Sequence, residues 1–305
     1  MLRMRAMIQP VQRSLFATPM PTFLGDDQLD AWRRDGVLVL PGFAAPAAID
    51  GLKRRAHEIV EAFEPAPAEM AVFSSRDRAQ LSQRALVESA DQVRCFFEEE
   101  AFDANGRLAV DKARAINKIG HALHDRDSVF SRFSRDPRLA ALAADLGFAR
   151  PLLMQSMLIF KQPRIGGEVV WHQDASFLMT EPHSVVGLWF ALEDATRDNG
   201  CLWVAPGGQR GPMGVLRERY VRRDDGFVTE RLDSAAWPSG EATRALEVPA
   251  GTLVVFDGLL PHASAPNRSA RSRLAYTLHI VDGHAAWSPL NWLQRRADDP
   301  ARGFD

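Results

Sequence analysis

GTLVVFDGLLPHASAPNRSARSRLAYTLHIVDG, residues 251–283, decides the fold class. It opens on GTLVVFDG (251–258) and closes on RLAYTLHIVDG (273–283), two short runs rich in Val, Leu and aromatic residues and stopped by Asp and Gly. Such runs read as β-strands. The LLPHASAPN segment between them (259–267) carries the Pro, Ser and Asn of a turn. The spacing therefore predicts two antiparallel strands joined through residues 263–270.

Working outward, MQSMLIFKQP (154–163), VVGLWFALED (185–194) and CLWVAPGG (201–208) have the same character. Many short strands closed by turns predict a sandwich or barrel. Long helices do not alternate with them, which argues against a doubly wound α/β sheet. The first half differs. DDQLDAWRRDG (26–36) starts acidic and ends on Gly, as a short helix does. VLVLPGF (37–43) is a β-rich run. In AAPAAIDGLKRRAHEIVEAFE (44–64), Leu52, Ala56, Ile59 and Val60 fall at helical spacing. Residues 64–112 are mixed, with helical pieces expected around 77–90 and a flexible tip at DANG (103–106). Residues 116–147 are expected to begin irregularly and to end in a helix carrying Leu139, Leu142 and Leu146. The expected organisation is an irregular lead over 1–25, then one mainly β domain with flanking helices over 26–305. Its β core falls mainly in 150–285.

Composition sets outer bounds. The chain has 305 residues, 46% hydrophobic and 25% charged, both ordinary for a globular domain. The formal net charge of -2 and the lack of a basic block give no reason to expect nucleic acid or an anionic membrane as partner. Residues 1–21 lack the apolar core of about 7–15 residues that marks a secretory signal. No stretch approaches the roughly 18 apolar residues of a membrane span. Cys95 and Cys201 form no CxxC pair and are read as free thiols. The expectation is a cytoplasmic protein, a monomer or weak homodimer, acting on a small molecule.

The chemistry-bearing motif is WHQDASF (171–177). His172 and Asp174 are two residues apart, so an extended backbone points both to one side. His262, in the turn-like segment after the strand at 251–258, is the candidate third ligand. Two imidazoles and a carboxylate on one face leave open positions on an octahedral iron. HxD alone is a weak signal, and zinc suits the same ligand types, although a structural zinc site would want a fourth ligand. Arg273 follows on the next strand, where a guanidinium beside the metal could grip a carboxylate with two hydrogen bonds. Arg271 shares its face and is the alternative, with one of the two a surface residue.

Longer stretches carry a resemblance: INKIGHALH (116–124), QSMLIFKQP (155–163), GGEV (166–169), HQDASFL (172–178), EDAT (193–196) with NGCLW (199–203), RSRLAYTLH (271–279) and WSPLNWLQ (287–294). In these, and from about Asp26 to Gln294, the chain resembles the phytanoyl-CoA dioxygenase family, and within it the phytanoyl-CoA dioxygenase domain-containing protein 1 group. The resemblance implies a double-stranded β-helix, also called a jelly roll or cupin-like fold. It implies an Fe(II)- and 2-oxoglutarate-dependent oxygenase using O2, with iron on His172, Asp174 and His262. It places the C5 carboxylate of 2-oxoglutarate on Arg273, and further cosubstrate contacts on Lys118, Met157, Gln173 and Trp189. The carboxylate ligand is present as Asp174, which implies oxygen transfer rather than the halogenation of relatives that have a small residue there. Hydroxylation of a small organic or acyl substrate, with release of succinate and CO2, is the implied outcome. A metal hydrolase or isomerase on the same barrel, and a non-catalytic 2-oxoglutarate sensor, are the competing classes. Segments 64–90 and 208–245 are candidate lids, RERYVRRDDG (217–226) could meet an anionic substrate, and His121 and His124 are further pocket candidates.

Overall fold

A computed structural model describes residues 22–64, 71–73, 83–210, 214–223 and 226–305. Most of the expected irregular lead, and part of the helical region expected at 77–90, lie outside these residues. The strands are β1 (Val37–Leu40), β2 (Val72–Phe73), β3 (Val93–Glu98), β4 (Ile116–His121), β5 (Pro151–Lys161), β6 (Val169–His172), β7 (Thr180–Glu181) and β8 (Val186–Ala191). They continue with β9 (Leu202–Val204), β10 (Glu218–Arg223), β11 (Gly226–Arg231), β12 (Arg244–Leu246), β13 (Leu253–Asp257), β14 (His262–Ser264), β15 (Arg273–Asp282) and β16 (Ala286–Trp287). The helices are α1 (Asp26–Asp35), α2 (Pro46–Ala62), α3 (Gln83–Glu88), α4 (Lys112–Ala115), α5 (Leu123–Arg126), α6 (Ser128–Ser134) and α7 (Pro137–Asp145).

An eight-stranded sheet runs β1-β13-β8-β15-β5-β4-β3-β2, and a four-stranded sheet runs β12-β9-β14-β6. Side chains alternate across each strand, and that alternation sorts the large sheet into two environments. Leu274, Tyr276, Leu278 and Ile280 of β15, with Leu188 and Phe190 of β8, join one core with Leu52 and Val60 of α2, Phe130 of α6 and Leu139 and Leu142 of α7. On the opposite face Trp189, Ala191, Val254, Phe256 and Ala275 meet Leu202, Val204 and Leu246 of the small sheet. Helices α2, α6 and α7 thus back one face of the large sheet, and the small sheet covers the other. This is a double-stranded β-helix with flanking helices, as the resemblance implied.

Three local expectations are corrected. INKIGH (116–121) is not irregular: it is β4, buried along its whole length and paired with β3 and β5. A strand buried on both faces loses the polar–apolar alternation by which strands are recognised. His262 does not sit in a turn but opens β14, opposite His172 of β6 and Val204 of β9. Lastly, the strands at 251–258 and 273–283 are not an antiparallel pair joined by a 263–270 turn: β13 and β15 are each antiparallel to β8, which lies between them, so they run parallel, and β14 of the small sheet interrupts the connection. The chain crosses between sheets there, which puts His262 and Arg273 on facing walls.

Glycine 187, on the inner face of β8, shows how closely these walls approach. A Cβ added there would lie 2.4 Å from the Phe256 ring and 3.0 Å from Asp174 Oδ2. Gly187→Ala is therefore expected to cost about 1–3 kcal/mol of stability by overpacking. It should also weaken metal binding, because the carboxylate must shift. Denaturant unfolding and metal titration of the variant check both effects.

Candidate active site

Between the two sheets lies a cavity of about 230 Å³ whose walls include His172, Asp174, His262, Trp189, Met157 and Arg273. His172 ends β6, Asp174 starts a single 3-10 turn after the intervening Gln173, and His262 opens the neighbouring β14. Pairing of His172 with His262 brings the two imidazoles to 4.2 Å between ring centroids. Asp174 Oδ1 lies 3.6 Å from His172 Nε2 and 3.7 Å from His262 Nε2. Within the described residues His172, Asp174 and His262 are the one group of at least three His, Cys, Asp or Glu residues that could hold a metal ion, with ligand atoms within 4.8 Å of one another.

The tautomers suit that role. Nδ1–H of His172 donates to Val170 O and Nδ1–H of His262 to Leu260 O, each at 2.9 Å. Both Nε2 lone pairs are left to point at the shared focus, the arrangement by which backbone carbonyls orient metal-binding histidines. Burial, then the adjacent His172, pushes His262 down to about 4, so it is neutral at physiological pH. Burial alone would raise the Asp174 pKa, yet the imidazoles of His279, His262 and His172 hold it well below the ordinary carboxylate value. Two imidazoles presenting Nε2 and an ionised carboxylate form the donor set preferred by a divalent iron.

His279 is a participant that reading the sequence missed. From β15 its Nε2–H donates to Asp174 Oδ2 at 3.0 Å, while Oδ1 faces the other two histidines. It fixes which carboxylate oxygen is presented. The available signal was its position: His279 lies an even number of residues from Arg273 on one strand, so both face the cavity. Its Nδ1 is buried without a partner, so a phenyl ring in its place creates no new orphan on that side. His279→Phe is expected to keep the fold and to weaken metal binding about 10–100-fold, read by competition against a chelator.

Arg273 is 2% exposed, whereas Arg271 is exposed, so Arg273 is the arginine of the cavity. Its Nε donates to Gly200 O at 3.1 Å and its Nη2 approaches Ser264 Oγ at 3.5 Å. Its Nη1 has no hydrogen-bond partner among the described residues. Burial pulls its pKa down to about 10, which leaves it charged. A buried donor on a cation is costly to leave unmatched, and a carboxylate entering the cavity would match it. The neighbouring Lys161 offers no such vacancy. Its Nζ already donates toward the carbonyls of Gly167, Ser264 (3.2 Å) and Ala265 (2.7 Å). Lys161 is therefore a clamp that ties the ends of three segments together.

Lys118, Met157 and Trp189 line the cavity, with the Arg273 guanidinium 5.6 Å from the Trp189 ring centroid. Burial pushes Lys118 down to about 7, partly countered by Glu98, and burial pushes Glu98 itself up to about 7. Gln173 turns the other way. Its Nε2 donates to Leu259 O at 2.8 Å and its Oε1 accepts from Arg217 N at 2.9 Å. The Gln173 side chain staples two loops behind the ligands and is not among the residues that line the cavity. Of the two extra histidines, His121 lines the cavity, while His124 is buried against Ser156. Both candidate lid segments reach it, through Leu86 and Tyr220. The arginines of 217–226 do not: Arg217 binds the carbonyls of Ala235 and Ala236, and Arg219 and Arg223 pair with Glu230. Asp224 and Asp225 of that stretch lie outside the described residues.

The phytanoyl-CoA dioxygenase (PhyH) family model matches residues 32–275. The chain belongs to the phytanoyl-CoA dioxygenase family. Among its relatives in that family, "Phytanoyl-CoA dioxygenase" of Arabidopsis thaliana is 42% identical over 275 residues, 89% of this chain and 94% of that protein. "Phytanoyl-CoA dioxygenase domain-containing protein 1" of Bos taurus is 42% identical over 285 residues, 91% of this chain and 97% of that protein. The fold recurs in the crystal structure of the epimerase SnoN in complex with Fe3+, alpha ketoglutarate and nogalamycin RO, at a TM-score of 0.60 and 16% identity, covering 91% of each chain. Among the described residues of this family member, no helix is long and apolar enough to cross a membrane. Both of its cysteines are buried free thiols.

Proposed function

We propose that this chain is an Fe(II)- and 2-oxoglutarate-dependent oxygenase in which His172, Asp174 and His262 hold the iron and Arg273 holds the distal carboxylate of 2-oxoglutarate. The unit carrying this chemistry spans residues 26–305. The observation that carries the reading is the buried, unmatched Nη1 of Arg273 in the same cavity as three converging metal-ligand atoms. When bound, Fe(II), 2-oxoglutarate and O2 supply an oxidant for C–H bonds, with succinate and CO2 as co-products.

The chain's own residues provide binding, orientation and shelter. Arg273 matches one carboxylate with a fixed guanidinium fork. Lys118, at the charged end of the cavity beside Glu98, adds a second cation for the cosubstrate. Trp189 and Met157 supply the apolar wall that shapes its path. Gln173 serves the cosubstrate indirectly, by fixing the backbone between His172 and Asp174. His279 holds the Asp174 carboxylate in register. The cavity lies between packed sheets, so water is displaced and electrostatic contacts inside it are strengthened.

A metal hydrolase or isomerase on this barrel would have no use for an unmatched buried guanidinium, and a sensor would bind 2-oxoglutarate without consuming it. Hydroxylation of an unactivated C–H bond in a small organic or acyl substrate is the outcome we assign. The test is aerobic incubation of Fe(II)-loaded chain with 2-oxoglutarate and quantification of succinate over a metal-free control. Iron-dependent succinate beyond one equivalent supports the oxygenase. Binding of 2-oxoglutarate with no succinate at any candidate substrate would support the sensor instead.

A further inference from the structure

The cavity has two chemically different ends. Arg273, Lys161, Glu98 and Lys118 interact with one another at one end. At the other, Leu86, Leu178, Tyr220 and Trp292 form one apolar cluster, with Phe177 packed against it. Two polar side chains, His121 and Gln155, accompany that apolar wall in lining the cavity.

The hydrogen bonds around His121 settle its tautomer. Its ring lies edge-on to Trp292, with 4.9 Å between centroids, and tilted against Phe96 at 5.5 Å. Its Nδ1 is 2.8 Å from Ser89 Oγ. Ser89 has one hydroxyl proton, and it is donated to Leu86 O at 2.6 Å. The serine oxygen must therefore accept from His121 Nδ1–H. Burial, then the nearby Lys118 and His279, holds the His121 pKa well below the ordinary imidazole value, so the ring is neutral. A neutral ring protonated on Nδ1 carries a bare lone pair on Nε2. No described residue donates to that atom. Gln155 is 5% exposed, and its side-chain amide likewise has no hydrogen bond to a described residue.

We propose that the apolar end is the prime-substrate subsite, and that His121 Nε2, supported by Gln155, accepts a hydrogen bond from the hydroxyl of a small, uncharged, otherwise apolar substrate. This rests on the oxygenase reading, in which the charged end is taken by the cosubstrate. The cation near His121 is Lys118, which the oxygenase reading assigns to the cosubstrate, so a free acid would have to compete with 2-oxoglutarate for it. The acyl carbonyl of a thioester could accept from the Gln155 amide but offers His121 Nε2 no donor, so it leaves that lone pair unpaired. A neutral alcohol matches both the wall and the lone pair, since a buried acceptor left unpaired is costly.

Cyclohexanol and methoxycyclohexane are suitable probes, because they share the ring and oxygen and differ in the donor. Their dissociation constants would be measured by ligand-observed NMR on the full chain loaded with Zn(II) and 2-oxoglutarate. The wild-type chain is expected to bind the alcohol about three- to tenfold more tightly than the ether, the contribution of one neutral hydrogen bond. In His121→Phe, which keeps a ring against Trp292, that preference should fall to about one. Gln155→Met should reduce it too and serves as the second variant should His121→Phe not fold. Equal binding of the two probes by the wild type, no binding of either, or an undiminished preference in a folded His121→Phe would each overturn the proposal. A parallel 2-oxoglutarate titration separates the two ideas: failure of the wild type to bind 2-oxoglutarate would instead sink the oxygenase reading and this subsite with it.

Discussion

Asp174→Ala is expected to weaken Fe(II) binding by well over about a hundredfold, beyond the 10–100-fold that loss of an outer hydrogen-bond partner costs. Three effects act together. The anionic ligand of the group is lost, and the two imidazoles that remain contribute lone pairs but no negative charge to offset the ion's. The buried His279 Nε2–H loses its acceptor, which at present is Asp174 Oδ2 at 3.0 Å. The focus on which His172 and His262 converge loses the oxygen that lies 3.6 and 3.7 Å from their Nε2 atoms. Anaerobic metal titration reads the effect. A thermal melt of the metal-free variant separates a lost ligand from a lost fold. The fold should survive, because Asp174 follows the end of β6 rather than lying within a core strand.

Arg273→Ala is the second large effect, and it falls on a different ligand. Removing one partner of a buried, hydrogen-bonded charge pair costs about 2–5 kcal/mol. Binding of 2-oxoglutarate to the metal-loaded chain should therefore weaken roughly 30-fold to several thousandfold. Metal binding itself should stay close to that of the wild type, since Arg273 is not among the three residues whose ligand atoms converge. Arg273→Lys is expected to rescue only a small part. An ammonium lacks the planar fork, and it would not reproduce the bond from Nε to Gly200 O at 3.1 Å. Calorimetric titration with 2-oxoglutarate distinguishes the two variants. Unchanged cosubstrate affinity in Arg273→Ala would remove Arg273 from the site.

Much of this was legible in the sequence, and the exceptions have physical causes. The strands of the second half announced themselves because Val, Leu and aromatic runs there end at Gly, Pro or Asp. His172, Asp174, His262 and Arg273 were nameable because extended-chain periodicity puts i and i+2 on one side, and because the family resemblance supplied their partners. What could not be read was sheet membership. Residues 263–270 look like a hairpin turn, but long-range pairing of His262–Ser264 with β6 and β9 puts a strand of the opposite sheet there, and β8 comes between β13 and β15. Residues 116–121 hid as a strand since burial on both faces removed the alternation. The side-chain directions of Gln173 and His279 were equally hidden. Gln173 sits between two ligands and yet faces away, because a strand sends neighbouring side chains to opposite sides. His279 shares a face with Arg273 by the same rule, but its bond to Asp174 depends on the fold of the chain around both.

The most direct test of the central claim, one cavity that holds a metal and 2-oxoglutarate together, is calorimetric titration of 2-oxoglutarate into the full chain under anaerobic conditions, with and without Fe(II). The account predicts one equivalent bound to the iron-loaded chain, at least about tenfold more tightly than to the metal-free chain, since both the ion and Arg273 then hold the ligand. Equal affinities in the two states, or no binding to the iron-loaded chain, would contradict it.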